Sequence, residues 1–147
     1  MATSNAATTY LENKLLSFIF KNNAGTFSSP GDSIYVGLAT AVSDAEAGTL
    51  TEVNTSTQDA NYARQQVTAA NWTLASSSTD QQTVNNTNNI EFSASSGVAT
   101  YTVTHVFIAD ASTGGNILFV GALDASKAIA SGDIFRINAT NLSIELK

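Results

Sequence analysis

The chain has 147 residues, the length of one ordinary domain, and 12% of them are charged, against roughly 25% in an average protein. Its net charge is −6, and its basic residues Lys14, Lys21, Arg64, Lys127, Arg136 and Lys147 are scattered, so no stripe can neutralise a run of phosphates and neither nucleic acid nor an anionic membrane is an expected partner. Cysteine is absent, which excludes disulfides, thiolate metal sites and cysteine nucleophiles together.

Met1–Thr9 has no basic n-region, and the apolar run Leu15–Phe20 behind Lys14 is too short to span a bilayer, so no export or membrane segment is expected. Residues 9–21 form the first predicted element, a helix. Thr9 and Glu12 have capping-box spacing, and Leu11, Leu15, Phe18 and Ile19 recur at i, i+4, i+7 and i+8, which predicts an apolar face docked on the rest of the protein. Asn22–Gly25 should end the helix, and Ser28–Asp32, with the single proline, reads as a turn.

The period then changes from helical to two. Ser33–Thr40 puts Ile34, Val36 and Leu38 on one face of a strand. Residues 42–61, with Asp44, Glu46, Glu52 and Asp59, read as a polar, acidic and exposed loop, and a loop of that length should meet a partner. Tyr62–Thr68 and Trp72–Leu74 are short strands, and Ser76–Asn89 is a polar run in which pairing should be weak. Ile90–Phe92 alternates again, and Val98–Ile108 is the longest β-type run.

Between Ile108 and Ile117, Asp110 can open a turn and Gly114 and Gly115 can pass through positive φ, which predicts a hairpin. A strand over Ile117–Leu123, a polar connection, a turn at Gly132–Asp133 and two last runs, Ile134–Ile137 and Leu142–Leu146, complete the chain. The fold expected is therefore mainly β. It is a single domain over 1–147, an antiparallel β-sandwich or jelly-roll-like barrel over about 33–147, with one amphipathic helix over an edge or an open end. Leu11, Leu15, Phe18 and Ile19 should dock the helix, and Ile34, Val36, Leu38, Val106, Ile108, Leu118 and Leu146 should build the core.

Chemistry is thinly represented. His105 is the single histidine and lies inside a strand run, where packing or a neighbouring hydrogen bond explains it better than general-base catalysis. No Gly-x-Ser-x-Gly is present. Paired carboxylates, Asp44 with Glu46 or Asp110 with Asp124, could serve a glycosidase but read more simply as turn residues. Asp110, Asn116 and Asp124 bracket one hairpin and offer oxygen ligands to calcium, without EF-hand spacing. Trp72, Tyr35, Tyr62 and Tyr101 could stack sugar rings in a carbohydrate-binding module, the runner-up reading, although core packing accounts for most of them. No catalytic, cofactor-binding or metal-ligating residue is assigned, and no cofactor is expected.

The order of these segments resembles a family of small virion proteins of tailed bacteriophages, of tail-fibre, collar or capsid-decoration type. The likeness is carried by Tyr10–Leu16, Ile34–Thr40, Glu52, Tyr62–Gln65, Val103–Val106, Asp110–Asn116, Leu118–Leu123, Ser131–Asp133 and Leu142–Leu146, which together span nearly the whole chain. Residues 54–61 depart from it, since the family commonly has a Pro-Thr turn and more glycine before the tyrosine. The resemblance implies a non-enzymatic building block of the virion exterior, made in the host bacterial cytoplasm. Its partners would be other virion proteins and further copies of itself, as a trimer. Neutral Ser/Thr/Asn surfaces and long β runs agree with a chain that pairs with identical copies.

Overall fold

The computed structural model describes residues 5–21, 31–76 and 82–146. The expected turns over Asn22–Gly25 and Ser28–Pro30, and the middle of the polar run, 77–81, lie outside them. In chain order the elements are β1 (Ala6–Ala7), α1 (Thr9–Phe20), β2 (Tyr35–Asp44), β3 (Thr49–Glu52), β4 (Gln65–Gln66) and β5 (Trp72–Ser76). Then follow β6 (Gln82–Asn86), β7 (Ile90–Glu91), β8 (Tyr101–Ala109), β9 (Ile117–Ile129), β10 (Arg136–Ile137) and β11 (Ser143–Leu146).

The fold is mainly β, a curled antiparallel sheet forming a half-barrel. Its strands run β1-β9-β8-β2-β3, with β4 also on β2, and two smaller sheets, β10-β7 and β11-β6-β5, complete the architecture. The predicted β8–β9 hairpin is its spine, with β2 alongside in the register Val36↔Ile108 and Leu38↔Val106. These residues and Leu118 are buried with Val53, Val67, Ile90, Phe92, Val103 and Ile137 in the main core, as the alternation predicts, while Ile34 is half-buried at its margin. Burying each such side chain contributes about 1.5–3 kcal/mol. Leu146 pairs with Gln82 through the backbone of β11, and its side chain is outside the described set.

The second face of the same strands is also covered. Ala39, Phe107, Ala109 and Val120 are buried there with Ala45. Gly37 lies directly across from Phe107, and any Cβ on Gly37 would collide with the Phe107 ring. The ring therefore occupies the space that a side chain would otherwise fill.

Several expectations need correction. The helix cap is Thr8, not Thr9: the Thr8 side chain accepts from the Leu11 N–H and donates to the Ile117 carbonyl at 2.6 Å, so cap and sheet anchor are one residue. The helix does not dock, because Leu11 alone packs on the core while Leu15, Phe18 and Ile19 remain exposed. Residues 42–61 are not an unstructured excursion: β2 continues to Asp44, turns, and returns as β3, with Ala45, Val53 and Asp59 buried.

Of Tyr62–Thr68, only Gln65–Gln66 pairs as a strand. The polar run supplies β6, the middle strand of its sheet, because backbone bonds to β5 and β11 replace apolar burial and Asn86 anchors it. Fully buried Asn86 donates to the Asn88 and Asn138 carbonyls and accepts from Leu142 N–H, so it is completely satisfied. Finally β9 extends through the supposed polar connection to Ile129, accommodated by a bulge in which Leu123–Ser126 lie against Thr104 alone.

The Gly37–Phe107 fit yields a test. Gly37→Ala should lower stability by about 1–3 kcal/mol through overpacking, measured by urea unfolding, whereas Gly114→Ala, where a Cβ meets nothing within 4 Å, should cost only the strain of its φ of +60°.

Candidate functional site

The segments that the sequence singled out separately meet around one side chain, Arg64. It follows Tyr62 on the stretch that crosses the outer edge of β2, where β4 pairs with Tyr35 and Val36 while β3 takes over from Ala39. Between those two pairings Leu38 is left without a strand partner on that edge. Its N–H donates to the Tyr62 hydroxyl at 3.0 Å, and its carbonyl accepts from Val53 N–H at 3.1 Å.

The Tyr62 hydroxyl in turn donates to Glu52 Oε1 at 2.8 Å. Burial pushes this phenol above its usual range and the Glu52 carboxylate adds to the effect, outweighing the Leu38 N–H, so Tyr62 stays protonated and acts as a donor.

Arg64 grips both oxygens of Glu52, Nε to Oε1 and Nη2 to Oε2, each at 2.8 Å. Its Nη1 donates to the Ala111 and Gly114 carbonyls, both at 2.8 Å, and its guanidinium lies 4.9 Å from the centre of the Phe107 ring. The side chain is 6% exposed and Glu52 30%. The Glu52 hydrogen bond holds the guanidinium pKa above normal, more than offsetting burial. Only arginine has enough N–H groups in one plane for a bidentate carboxylate and two carbonyls together.

The carbonyls it binds belong to the β8–β9 turn. Within that turn Asp110 accepts from the Asn116 N–H at 2.7 Å and from its side-chain amide at 2.8 Å. Gly115 has φ +69°, and a Cβ there would strike Asp110 and Ala111, so the second glycine is dictated by both conformation and space.

A second polar cluster closes the segment after β3. Asn54 Oδ1 accepts from Ser56 and Thr57 N–H, an Asx turn that reverses the chain after β3. Buried Asp59 then accepts from Asn61 N–H at 3.0 Å, Ser96 N–H at 2.9 Å and the Tyr101 hydroxyl at 3.0 Å. Burial by itself would raise its pKa, but the donors from Ser96, Asn61 and Tyr101 prevail and hold it below 3.8.

The remaining candidates do not converge. Asp124 lies within the β9 bulge, two residues past Ala122 and roughly 25 Å along the strand from the Asp110–Asn116 turn at about 3.3 Å per residue. The bracket proposed for calcium or for paired carboxylates is therefore not one site. Asp44 accepts from Ala47 N–H and shapes the β2–β3 turn. His105 is half-buried with Nδ1 at 2.8 Å from the Thr104 hydroxyl, and burial lowers its pKa. Tyr62 and Tyr101 are buried and Trp72 donates to the Val67 carbonyl, so these aromatics do not form a common sugar-stacking platform.

A family profile described as Podophage GP4 fiber I protein gp80 matches residues 6–145. The chain belongs to this family. Phage fibre membership makes it a protein of the tail-fibre type among virion components, in line with the resemblance of its motifs. A comparison with curated protein sequences returns no match. In this fibre protein the motif residues Glu52, Tyr62, Arg64 and Asp110–Asn116 are thus parts of one internal clamp. Asp59 and Asn86 escaped sequence reasoning because each sits in a polar segment where a buried side chain has the same signature as a solvated one.

Two outcomes follow. Arg64→Met should cost about 3 kcal/mol, since removing one member strands the other charge and two carbonyls. A double-mutant cycle with Glu52→Gln, read by urea unfolding, should show strong coupling. Because the folded pKa of Asp59 is depressed, its stabilisation is present above the ordinary carboxylate value of 3.8 and is lost as pH falls through the lower folded value. Acid titration followed by circular dichroism should show that loss below about pH 4, and Asp59→Asn should flatten it.

Proposed function

We propose that this chain is a non-enzymatic building block on the exterior of a tailed-phage particle, acting as a tail-fibre or collar component through contacts with other virion proteins and with copies of itself. Residues 1–147 act in it as one domain, made in the host bacterial cytoplasm and assembled as a cyclic oligomer, a trimer. The observation that carries the reading is the contrast within the molecule. Arg64, Glu52, Asp59 and Asp110 are consumed by internal hydrogen bonds, while the apolar side chains of α1 other than Leu11 are exposed.

An enzyme needs polar groups held ready for a substrate, whereas an assembly module needs a rigid body and an apolar contact. Membership of a structural fibre family supports the same conclusion. Purified particles analysed by mass spectrometry and immunogold labelling should contain the chain at the surface, at the low copy number of a tail appendage. Its absence from particles would overturn the proposal, and hundreds of copies over the head would shift it to capsid decoration.

A further inference from the structure

The polar side chains of the Arg64 clamp are used up internally, but those of one cleft are not. The cleft lies between β4 and β7, has a volume of about 260 Å³, and is lined by Gln65, Gln66, Asn71, Asn88, Asn89 and Glu91. Buried Val67 and Ile90 give it an apolar floor. Small-molecule sites begin at about 300 Å³, so this one suits a ligand of about one or two rings.

Each lining side chain is anchored at one end. Gln65 Nε2 donates to the Ala63 carbonyl and Gln66 Nε2 to the Asp32 carbonyl, both at 2.8 Å. Asn89 Oδ1 accepts from Ala139 N–H at 2.8 Å. Asn88 Nδ2 donates to Asn71 Oδ1 at 2.7 Å, and Asn71 Nδ2 donates in turn to Thr68 Oγ1 at 3.0 Å, so Asn71 serves to hold Asn88. Glu91 Oε2 accepts from Arg136 Nε. Backbone partners thereby fix which end of Gln65, Gln66 and Asn89 is oxygen and which nitrogen.

The opposite ends are uncommitted. Gln65 Oε1, Gln66 Oε1, Asn88 Oδ1, Asn89 Nδ2 and Glu91 Oε1 have no hydrogen-bond partner among the described residues. Because folding has already oriented these groups, little side-chain freedom remains to be lost when something binds to them.

Charge and donor type select the ligand class. A phosphate or carboxylate ligand needs cationic donors, and no lysine or arginine lines the cleft. A calcium ion wants several carboxylates, and the single one here, Glu91, is paired with Arg136. What remains is a near-neutral row of carboxamides offering one N–H donor group and several acceptors. A sugar hydroxyl both donates and accepts, so it can meet either kind of group, while the C–H face of the ring packs on Val67 and Ile90. With one carboxylate there is no acid–base pair to cleave a glycosidic bond.

We propose that the β4–β7 cleft is a binding site for a neutral saccharide, recognised by Gln65, Gln66, Asn88, Asn89 and Glu91 and bound without being cleaved. This site does not use the aromatic residues Trp72, Tyr35, Tyr62 and Tyr101. It is also separate from the contacts of the building-block reading, none of which involves the cleft.

The test is a nitrogen-15 NMR titration of the full-length chain with glucose, galactose, rhamnose and N-acetylglucosamine, each as the free sugar and as a short homo-oligosaccharide. At least one should shift the side-chain amide signals of Asn89, Gln65 and Gln66 saturably. Asn89→Asp keeps the oxygen that accepts from Ala139 N–H and removes the free amide donor. It should weaken that binding about tenfold, with the urea-unfolding midpoint unchanged. Glucose 6-phosphate should bind no more tightly than glucose.

The map on the unmodified chain needs no variant: if none of these sugars shifts the cleft amides, or the shifts fall elsewhere on the protein, the proposal is overturned. Unchanged affinity in Asn89→Asp, or tighter binding of the phosphorylated sugar, would overturn it as well. Any of these results leaves the building-block reading standing.

Discussion

A guanidinium taken almost entirely out of water must be given partners for its N–H groups, and the placement of much of this sheet follows from how Arg64 meets that demand. Leaving the cation uncompensated would cost several kcal/mol. Its carboxylate partner, Glu52, fixes the end of β3, and its carbonyl partners, at Ala111 and Gly114, fix the β8–β9 turn. Its flat face covers Phe107, which in turn fills the space over Gly37. The clamp thus joins the outer edge of β2 to the tip of the central hairpin, elements with no direct backbone pairing at that point.

The same clamp repairs a discontinuity in the sheet. β2 exchanges one neighbour for another between Val36 and Ala39, and an unpaired backbone group there would carry the full cost of desolvation. The hydroxyl of Tyr62 supplies the missing partner and passes its own proton toward Glu52 as a hydrogen bond. Asp59 and Asn86 perform comparable tasks at the other junctions, Asp59 by accepting from Ser96 and Tyr101 and Asn86 by donating to the Asn138 carbonyl and accepting from Leu142 N–H. Polar chemistry in this fibre protein is architectural: it stiffens a half-barrel whose apolar helix is left facing outward.

That division suits assembly. In the proposed assembly such a body would present a contact surface without further ordering, so little of the binding free energy would be lost to freezing its side chains. The polar strand β6, which ends at Asn86, shows that burial is not the only route to a stable strand, since backbone pairing on both edges suffices where one buried amide secures the register.

Periodicity alone established the mainly β fold, the helix near the N-terminus, the β8–β9 hairpin and the core alternation of Val36, Leu38, Val106 and Ile108, because those features depend on neighbours two to four residues apart. The order of the motifs likewise sufficed to point to a phage virion family. What the helix face would meet was not legible, since the pattern of Leu15, Phe18 and Ile19 reports an apolar stripe and not its partner. Nor was the closure of residues 42–61 legible, because Glu52 and Asp59 look solvated until Arg64, Ser96 and Tyr101 arrive from elsewhere in the chain. The tertiary structure alone could decide that closure, for a buried polar residue is identified by its partners, and here the partners are far apart in sequence.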